Sequence, residues 1–383
     1  MKKIFPLLFT LFLFLDPLYM ALCSFWGIKN EGSILKLYLV IVSCISMFSY
    51  FFVAKKKIRH FPLFVGLILF AMLYYSTSII YGYDNDLYMG QLLRWGAQCV
   101  PAVLMGVIFA QYNEKDKLLN YIPYCIVILT PFIAGIALAN SSNYGQYTDD
   151  VSGLNYQLIA YYMALFFGIS GSLSLFSKKS SKMLKYCMFC LMTFQAVVCM
   201  TSGGRGGFVL LIVNIIFISF VLIKRKKISY RQILLIYTLC FVLIVIIGNY
   251  YNIWDSAGFQ RVINPIAQQT GRKDDWLEVL TYFEESPIFG NGLGSDFYTW
   301  GFYSHNILVD FLAETGVIGT IILCHVFFKM EKTIMSRALY QDVFICISFF
   351  ALYGIVMNCF SGYWITTYYN WLIFGIYYGQ KIR

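Results

Sequence analysis

The residues of this chain best equipped for chemistry are a few arginines, one histidine and several acids that gather between positions 200 and 315. Arg205 lies in Thr201-Ser-Gly-Gly-Arg-Gly-Gly207, at the junction of two apolar stretches, and Arg261 and Arg272 lie in the polar segment 251–304. A guanidinium is a fixed planar fork of donors that fits phosphate oxygens, a geometry the lysine ammonium lacks. The alternative is simple ion pairing, for example Arg261 with Asp255. Ser304-His305-Asn306 opens the next apolar stretch, so His305 is expected in the first turn of a helix. Helix N-termini expose unpaired N–H groups and a positive dipole end, which attract anions and favour a neutral imidazole. A neutral imidazole accepts a proton; a charged one contacts phosphate. Asn306, Asp310 and Glu314 recur every four residues and so share one helix face running inward. Carboxylates inside an apolar span are costly unless paired or facing water, which implies a partner, with Arg205 and Arg94 as candidates. The alternative for these acids is an internal ion pair without a chemical role.

The elements that must position these groups are legible from patterning. Segment 251–304 is far longer than ordinary connections, which rarely exceed about 15 residues unless functional or disordered. Its Trp254, Trp276, Phe283, Phe289, Phe297, Tyr298 and Trp300 supply aromatic surface that argues for order and could stack on sugars. Within 273–286, Trp276, Leu280 and Phe283 fall at i, i+4 and i+7, which predicts an amphipathic helix ended by Pro287 and the glycine-rich turn PIFGNGLG. A tight turn is a better reading of those glycines than a phosphate loop.

Composition fixes the class. With 59% hydrophobic and 13% charged residues and mean hydropathy +0.67, the chain is neither a water-soluble protein nor a disordered one. The formal charge of +10 is spread over loops that flank apolar stretches, which excludes a nucleic-acid binder. Twelve segments are long enough to span a bilayer: 4–23, 35–53, 61–80, 97–111, 118–139, 154–176, 183–200, 207–223, 231–250, 305–328, 340–360 and 363–379. The fourth can begin near Met89, with Arg94 facing the bundle interior. The first resembles a signal peptide but is interrupted by Asp16-Pro17 and followed by no small-residue cleavage site, so a membrane anchor is expected. Alternate loops hold 22 of the 29 basic residues, which predicts both termini on the cytoplasmic side and 251–304 outside. The fold expected is therefore all-α and polytopic, with about twelve transmembrane helices and one long external loop. Residues 1–200 form an N-terminal bundle of about seven spans, 201–330 the motif-bearing region and 331–383 the last two spans.

Rival chemistries are weaker. Asp84-Asn85-Asp86 and Asp149-Asp150 could hold a hard cation, but short acidic pairs are common in external loops, and neither a metal nor another cofactor is expected. Cys187 and Cys190 form a C-x-x-C without a second ligand pair and read as buried helix residues. A nucleotide-sugar donor is disfavoured, because no cytoplasmic loop is long enough for a nucleotide-binding domain.

The stretch Gly271–Gly294 resembles the Arg-x3-Trp…Pro-x-x-Gly-x-Gly segment of the O-antigen polymerase and ligase superfamily. His305-Asn306, nine residues and Gly316-Val317-Ile318-Gly319 are similar to that family's H-N-x9-G-x-x-G pattern, and Ser202-Gly-Gly-Arg205-Gly206 resembles its Ser-Arg-Gly segment with an extra glycine pair. The resemblance covers about 200–320. It implies a multi-pass protein of the bacterial cytoplasmic (inner) membrane acting on its external face, with an undecaprenyl-diphosphate-linked oligosaccharide as substrate. The implied reaction is metal-independent glycosyl transfer with inversion, the polyprenyl diphosphate leaving. On this reading His305, Arg272 and Arg205 are catalytic. Arg261, Asn306, Trp276, Glu278, Asp310 and Glu314 bind substrate, and one of the last three acids could orient His305. Membrane lipids, a chain-length regulator and a flippase are the implied partners. A polymerase of O-antigen or similar surface polysaccharide is favoured over a ligase to lipid A-core, because ligases often carry a larger external loop. A transporter or flippase is the reading from another class, although no internal repeat is visible and the polar residues gather at one face rather than the midplane.

Overall fold

The computed structural model describes residues 4–27, 29, 38, 41–47, 49, 61–81, 85–139, 154–178, 180–232, 234, 235, 238, 249, 272–295 and 303–381. Among them every regular element is helical. In chain order these are α1 (Phe5–Leu13), α2 (Leu15–Trp26), α3 (Phe61–Tyr81), α4 (Asn85–Arg94), a π-helical turn (Trp95–Cys99), α5 (Val100–Gln111), a 3-10 turn (Lys115–Asn120) and α6 (Ile122–Ala139). There follow α7 (Tyr156–Leu175), α8 (Lys182–Thr201), α9 (Arg205–Lys224), α10 (Arg272–Glu285), α11 (Ile307–Ala338), α12 (Asp342–Phe360) and α13 (Tyr368–Lys381). Seven helices of the described residues are long and apolar enough to cross a membrane, and an eighth span results if α1 and α2, bent by 73°, are counted as one. The chain is thus a polytopic helical membrane protein. The expected spans at 35–53 and 231–250 fall largely outside the described residues.

Helices that are apolar all round belong inside a bundle. α7 and α12 are of this kind, buried along most of their length and packed on each other through Gly168 and Phe349. α5 and α13 approach backbone to backbone where Gly106 and Gly375 lie against Leu372 and Val103; small residues permit such contact, which dispersion then rewards. Buried polar groups add interhelical ties: Gln195 Nε2 donates to Thr130 Oγ1 (2.8 Å) and Asn214 Nδ2 to the Ala164 carbonyl (2.7 Å). At one end of the bundle Arg225 pairs with Asp342 at 2.6 Å and donates to the Ala338 carbonyl, joining the end of α9 to the α11–α12 turn.

Four sequence expectations are corrected. The first span is broken at Phe14 rather than continuous, and the freed Leu13 carbonyl accepts from Tyr369 Oη (2.9 Å). The last helix starts at Tyr368, five residues later than the apolar pattern suggests, because 361–367 is irregular. α11 extends to Ala338 and is interrupted at Gly316, whose φ 61° and ψ −171° no helix contains. Cys187 and Cys190 are exposed on α8 rather than buried.

The interruption in α11 has a local cause. Val317 N–H donates to the Pro287 carbonyl (2.9 Å), and Asn291 and Gly292 N–H donate to the carbonyls of Ala313 and Glu314 (both 2.9 Å). The 286–295 turn therefore takes over hydrogen bonds that a continuous helix would make within itself. A side chain at Gly316 would meet the Ile288 carbonyl, and one at Gly290 the Glu314–Thr315 peptide. Gly316→Ala is expected to cost about 1–3 kcal/mol from backbone conformation alone and to detach the turn. A lower thermal unfolding midpoint and new protease cleavage within 286–295 are expected; a wild-type melt and digestion pattern would contradict the account.

Candidate active site

The Ser304-His305-Asn306 peptide is fixed from three sides. Trp276 of α10 donates its indole N–H to the Ser304 carbonyl (2.7 Å). Asp310, fully buried one turn into α11, accepts from Ser304 N (3.1 Å) and Oγ (2.5 Å). Ser304 Oγ in turn accepts from Asn306 N (3.1 Å), and Asn306 Oδ1 caps the helix at Leu308 N (3.0 Å). Held this way, His305 takes a left-handed backbone conformation, φ 58°, which non-glycine residues seldom adopt and which concentrates at functional sites. Asn306 is the N-cap, so His305 precedes the helix instead of occupying its first turn.

Asp310 and Glu314 share the inward face of α11, as their spacing predicts, and both are buried. Asp310 acts on His305 through the Ser304 backbone, a positioning role. Glu314 Oε1 accepts from Gly294 N (3.0 Å) and Tyr363 Oη (2.5 Å), and Oε2 from Trp364 Nε1 (2.9 Å). Neutral donors from the glycine turn and from the 361–367 segment are thus among its partners, where the sequence suggested arginine. Val279 on α10 packs with Val309 and Ala313 of α11, with Leu280 beside them, so α10 docks on the same region. Trp276 and Phe283 are half-buried as the pattern implies, and Glu278 is exposed on α10.

Around His305 runs a chain of aromatic and hydroxyl contacts that the sequence reading missed. The Tyr303 ring meets His305 edge-on at 4.5 Å and stacks on Tyr363 at 5.4 Å. Tyr303 Oη donates to the Ser361 carbonyl, and Tyr161 Oη to Ser361 Oγ, both at 3.3 Å. Tyr161 in turn abuts Gly206, and Ala160 abuts Gly204 and Gly207. Gly204, Gly206 and Gly207 therefore let α9 start against α7, and Gly203, the other member of the additional pair, takes a left-handed φ of 80°. Arg205 is half-exposed at the first position of α9, and its neighbour Gly206 lies against Tyr161, which Ser361 links to Tyr303. The signal for the missing residues was the density of polar aromatic groups in Tyr363-Trp-Ile-Thr-Thr-Tyr-Tyr-Asn370, unusual for a membrane span.

The structure thus brings together His305, Asn306, Trp276, Asp310 and Glu314, while Arg205 stands at the start of α9 beside Gly206, which lies against Tyr161. Arg272 begins α10, one turn before Trp276, and its side chain lies outside the described residues, as do Arg261, Asp84, Asp149 and Asp150. No group of three or more His, Cys, Asp or Glu side chains suited to a metal occurs among the described residues. Beside Tyr303 a cavity of about 280 Å³ opens among α2, α4, α7, α12 and the 361–367 segment.

A multi-pass helical bundle whose conspicuous site is a histidine peptide buttressed by a glycine turn is the class these features define. Residues 188–324 match the sequence model of the O-antigen ligase family, which supports the resemblance to the O-antigen polymerase and ligase superfamily. No curated protein gives a significant match to the chain. The matched region runs from α8 to the middle of α11 and holds Arg205, Arg272, His305, Asp310 and Glu314. Chemistry of the O-antigen polymerase or ligase type, a glycosyl transfer in the membrane, is what this family supports.

The Glu314 junction makes an ordering test possible. Glu314→Gln places an NH2 where a donor already points, leaving a buried donor unmatched at a cost of about 1–3 kcal/mol. Tyr363→Phe removes one donor and leaves the others in place, so its thermal destabilisation should be the smaller of the two. The reverse order would show that Glu314 is not the organising acceptor.

Proposed function

We propose that the protein is a polymerase of O-antigen or a similar surface polysaccharide, acting at the external face of the bacterial inner membrane with both termini cytoplasmic. It transfers the growing glycan from undecaprenyl diphosphate to the non-reducing end of the next lipid-linked repeat unit. An acceptor hydroxyl attacks C1 of the carrier-linked sugar; the C1–O bond to the diphosphate breaks with inversion, and undecaprenyl diphosphate leaves carrying the bonding pair. The hydroxyl proton passes to His305 Nδ1 or Nε2 or, where the imidazole instead contacts the diphosphate, to a leaving-group oxygen. Arg205 and Arg272 neutralise charge growing on the diphosphate through charge-assisted bidentate bonds, a role that needs no cation. Arg261 and the aromatic surface of Trp276 assist substrate binding.

The observation that carries this reading is that three separate motif segments are parts of one device. Trp276, one turn after Arg272, donates to Ser304; the Pro287–Gly294 turn closes on Gly316; and the glycines flanking Arg205 seat α9 beside Tyr161, two contacts from Tyr303. Segments spaced so far apart in sequence have no reason to interlock around a strained histidine unless that histidine is used. Segment 251–304 is shorter than the external loop that ligases often carry, which favours polymerase over ligase.

The test is incubation of purified protein with lipid-linked repeat units, with and without chelator. His305→Ala and Arg272→Ala should each lower chain extension by at least about 100-fold, with membrane insertion intact and chelator without effect. Arg272→Lys should rescue poorly if bidentate geometry matters. Normal chain-length ladders from both alanine variants at matched protein levels would refute the assignment. In a strain lacking the protein, single-repeat lipopolysaccharide indicates a polymerase, and accumulated carrier-linked polymer indicates a ligase.

A further inference from the structure

The cavity beside Tyr303 is walled by three interruptions of regular backbone. α1 and α2 break at Phe14 and thereby turn Asp16 inward. The π-helical turn Trp95–Cys99 follows directly on Arg94, and Cys99 Sγ donates to the carbonyl of Ile365 in the irregular 361–367 segment. Irregular backbone at membrane depth persists only where protein buries it or where it lines a polar cavity, and π-helical turns concentrate at functional sites. Three such features around one space mark it as built. Most of these residues, Asp16 and Arg94 included, lie outside the segment that matches the family.

The chemistry of the walls selects the occupant. Among the described residues lining the cavity, Arg94 is the one cation and Asp16 the one acid; Gln91, Gln98, Asn155 and Gln157 add amides, Ser361, Thr366 and Thr367 add hydroxyls, and tyrosine rings with Met20, Leu158 and Met357 supply most of the remaining surface. Arg94 Nε donates to Gln98 Oε1 (3.4 Å), and Tyr38 Oη donates to Asp16 Oδ1 (3.0 Å). A diphosphate or an acidic sugar would meet the Asp16 oxygens with a single guanidinium to offset them, whereas anion sites gather several donors. Vicinal hydroxyls, which donate and accept at once, match an acid, a guanidinium and amides side by side, and tyrosine faces take the C–H surface of a ring. At about 280 Å³ the space lies just below the ~300–1,000 Å³ of sites for drug-sized ligands, which suits one small unit and not a lipid chain.

We propose that this cavity seats one uncharged sugar unit of the glycan beside Tyr303, the ring that His305 meets edge-on, with Asp16 and Arg94 holding its hydroxyls as specificity-determining residues. The assignment rests on the glycosyl-transfer reading for its role, and on the cavity alone for its ligand. The seated unit belongs either to the acceptor terminus or to the carrier-linked donor.

The binding test uses full-length protein in lipid nanodiscs and saturation-transfer NMR with methyl glycosides of glucose, galactose, N-acetylglucosamine and glucuronic acid, with inorganic pyrophosphate as competitor. At least one neutral glycoside should bind, with affinity reduced about tenfold or more in Asp16→Asn and in Arg94→Gln, consistent with loss of a charged hydrogen bond. Gln98→Leu, compared at a matched unfolding midpoint, guards against misfolding of the charge variants. His305→Ala should retain binding while losing chain extension, so failure of the catalytic reading and failure of the sugar seat are distinguishable. In the kinetic arm Arg94→Gln should raise KM with kcat little changed. A rise for a diphosphate-free acceptor glycan assigns the seat to the acceptor, and a rise for the carrier-linked growing glycan assigns it to the donor. The proposal is overturned if no neutral glycoside binds, if pyrophosphate or the glucuronide displaces it, if the three cavity variants bind as wild type, or if neither KM moves.

Discussion

The carboxyl group of Glu314 is the constraint on which the rest of the site depends. It sits inside the bundle, two residues before α11 is interrupted, and collects an N–H from the glycine turn, a phenol from Tyr363 and an indole from Trp364. A buried acid of this kind is tolerable only when its oxygens are filled, and once filled it fixes the positions of all its donors. Three chain segments far apart in sequence are thereby brought to one point. The histidine peptide lies two helical turns away along the same helix, so its position inherits that rigidity.

The break at Gly316 and the acid belong to one mechanism. A continuous helix would consume the carbonyls of Ala313 and Glu314 internally; interruption frees them for the N–H groups of Asn291 and Gly292. The turn is hydrogen-bonded to the helix as a strand is to its neighbour, and side chains at Gly290 and Gly316 would block that approach. A glycine turn is in this way held to a membrane helix by backbone hydrogen bonds. The His305 backbone conformation is offset by bonds from Trp276, Asp310 and Asn306, which is the pattern expected where a strained residue is kept for use.

Much of this was legible in the sequence, and the limits have physical reasons. The shared face of Asn306, Asp310 and Glu314 follows from helical periodicity, and the amphipathic character of α10 from the spacing of Trp276, Leu280 and Phe283. Such patterns are local, and local geometry dictates them. The break at Gly316 was not legible, because a lone glycine within an apolar run reads as a tolerated helix residue; its role exists only with Pro287 and Ile288 in place. The partners of Glu314 were equally hidden, since Tyr363 and Trp364 are about fifty residues away. Hydropathy read 363–367 as span because its aromatic residues are apolar by scale, although their polar ends are what the fold uses.

The division between matched and unmatched sequence carries a functional meaning. The family segment, 188–324, contributes the histidine peptide, the glycine turn and the start of α9. The polar walls of the adjoining cavity come chiefly from α2, α4, α7, α12 and the segment before α13. Under the proposed function, activating a hydroxyl and stabilising a leaving diphosphate are the same task for every glycan, and the motif residues are the ones assigned to it. Recognising a particular sugar is a different task for each glycan, and its residues are free to differ. With the first set on the glycine turn and α11, and the proposed sugar seat on the broken and π-helical spans, glycan specificity could change without disturbing the reaction.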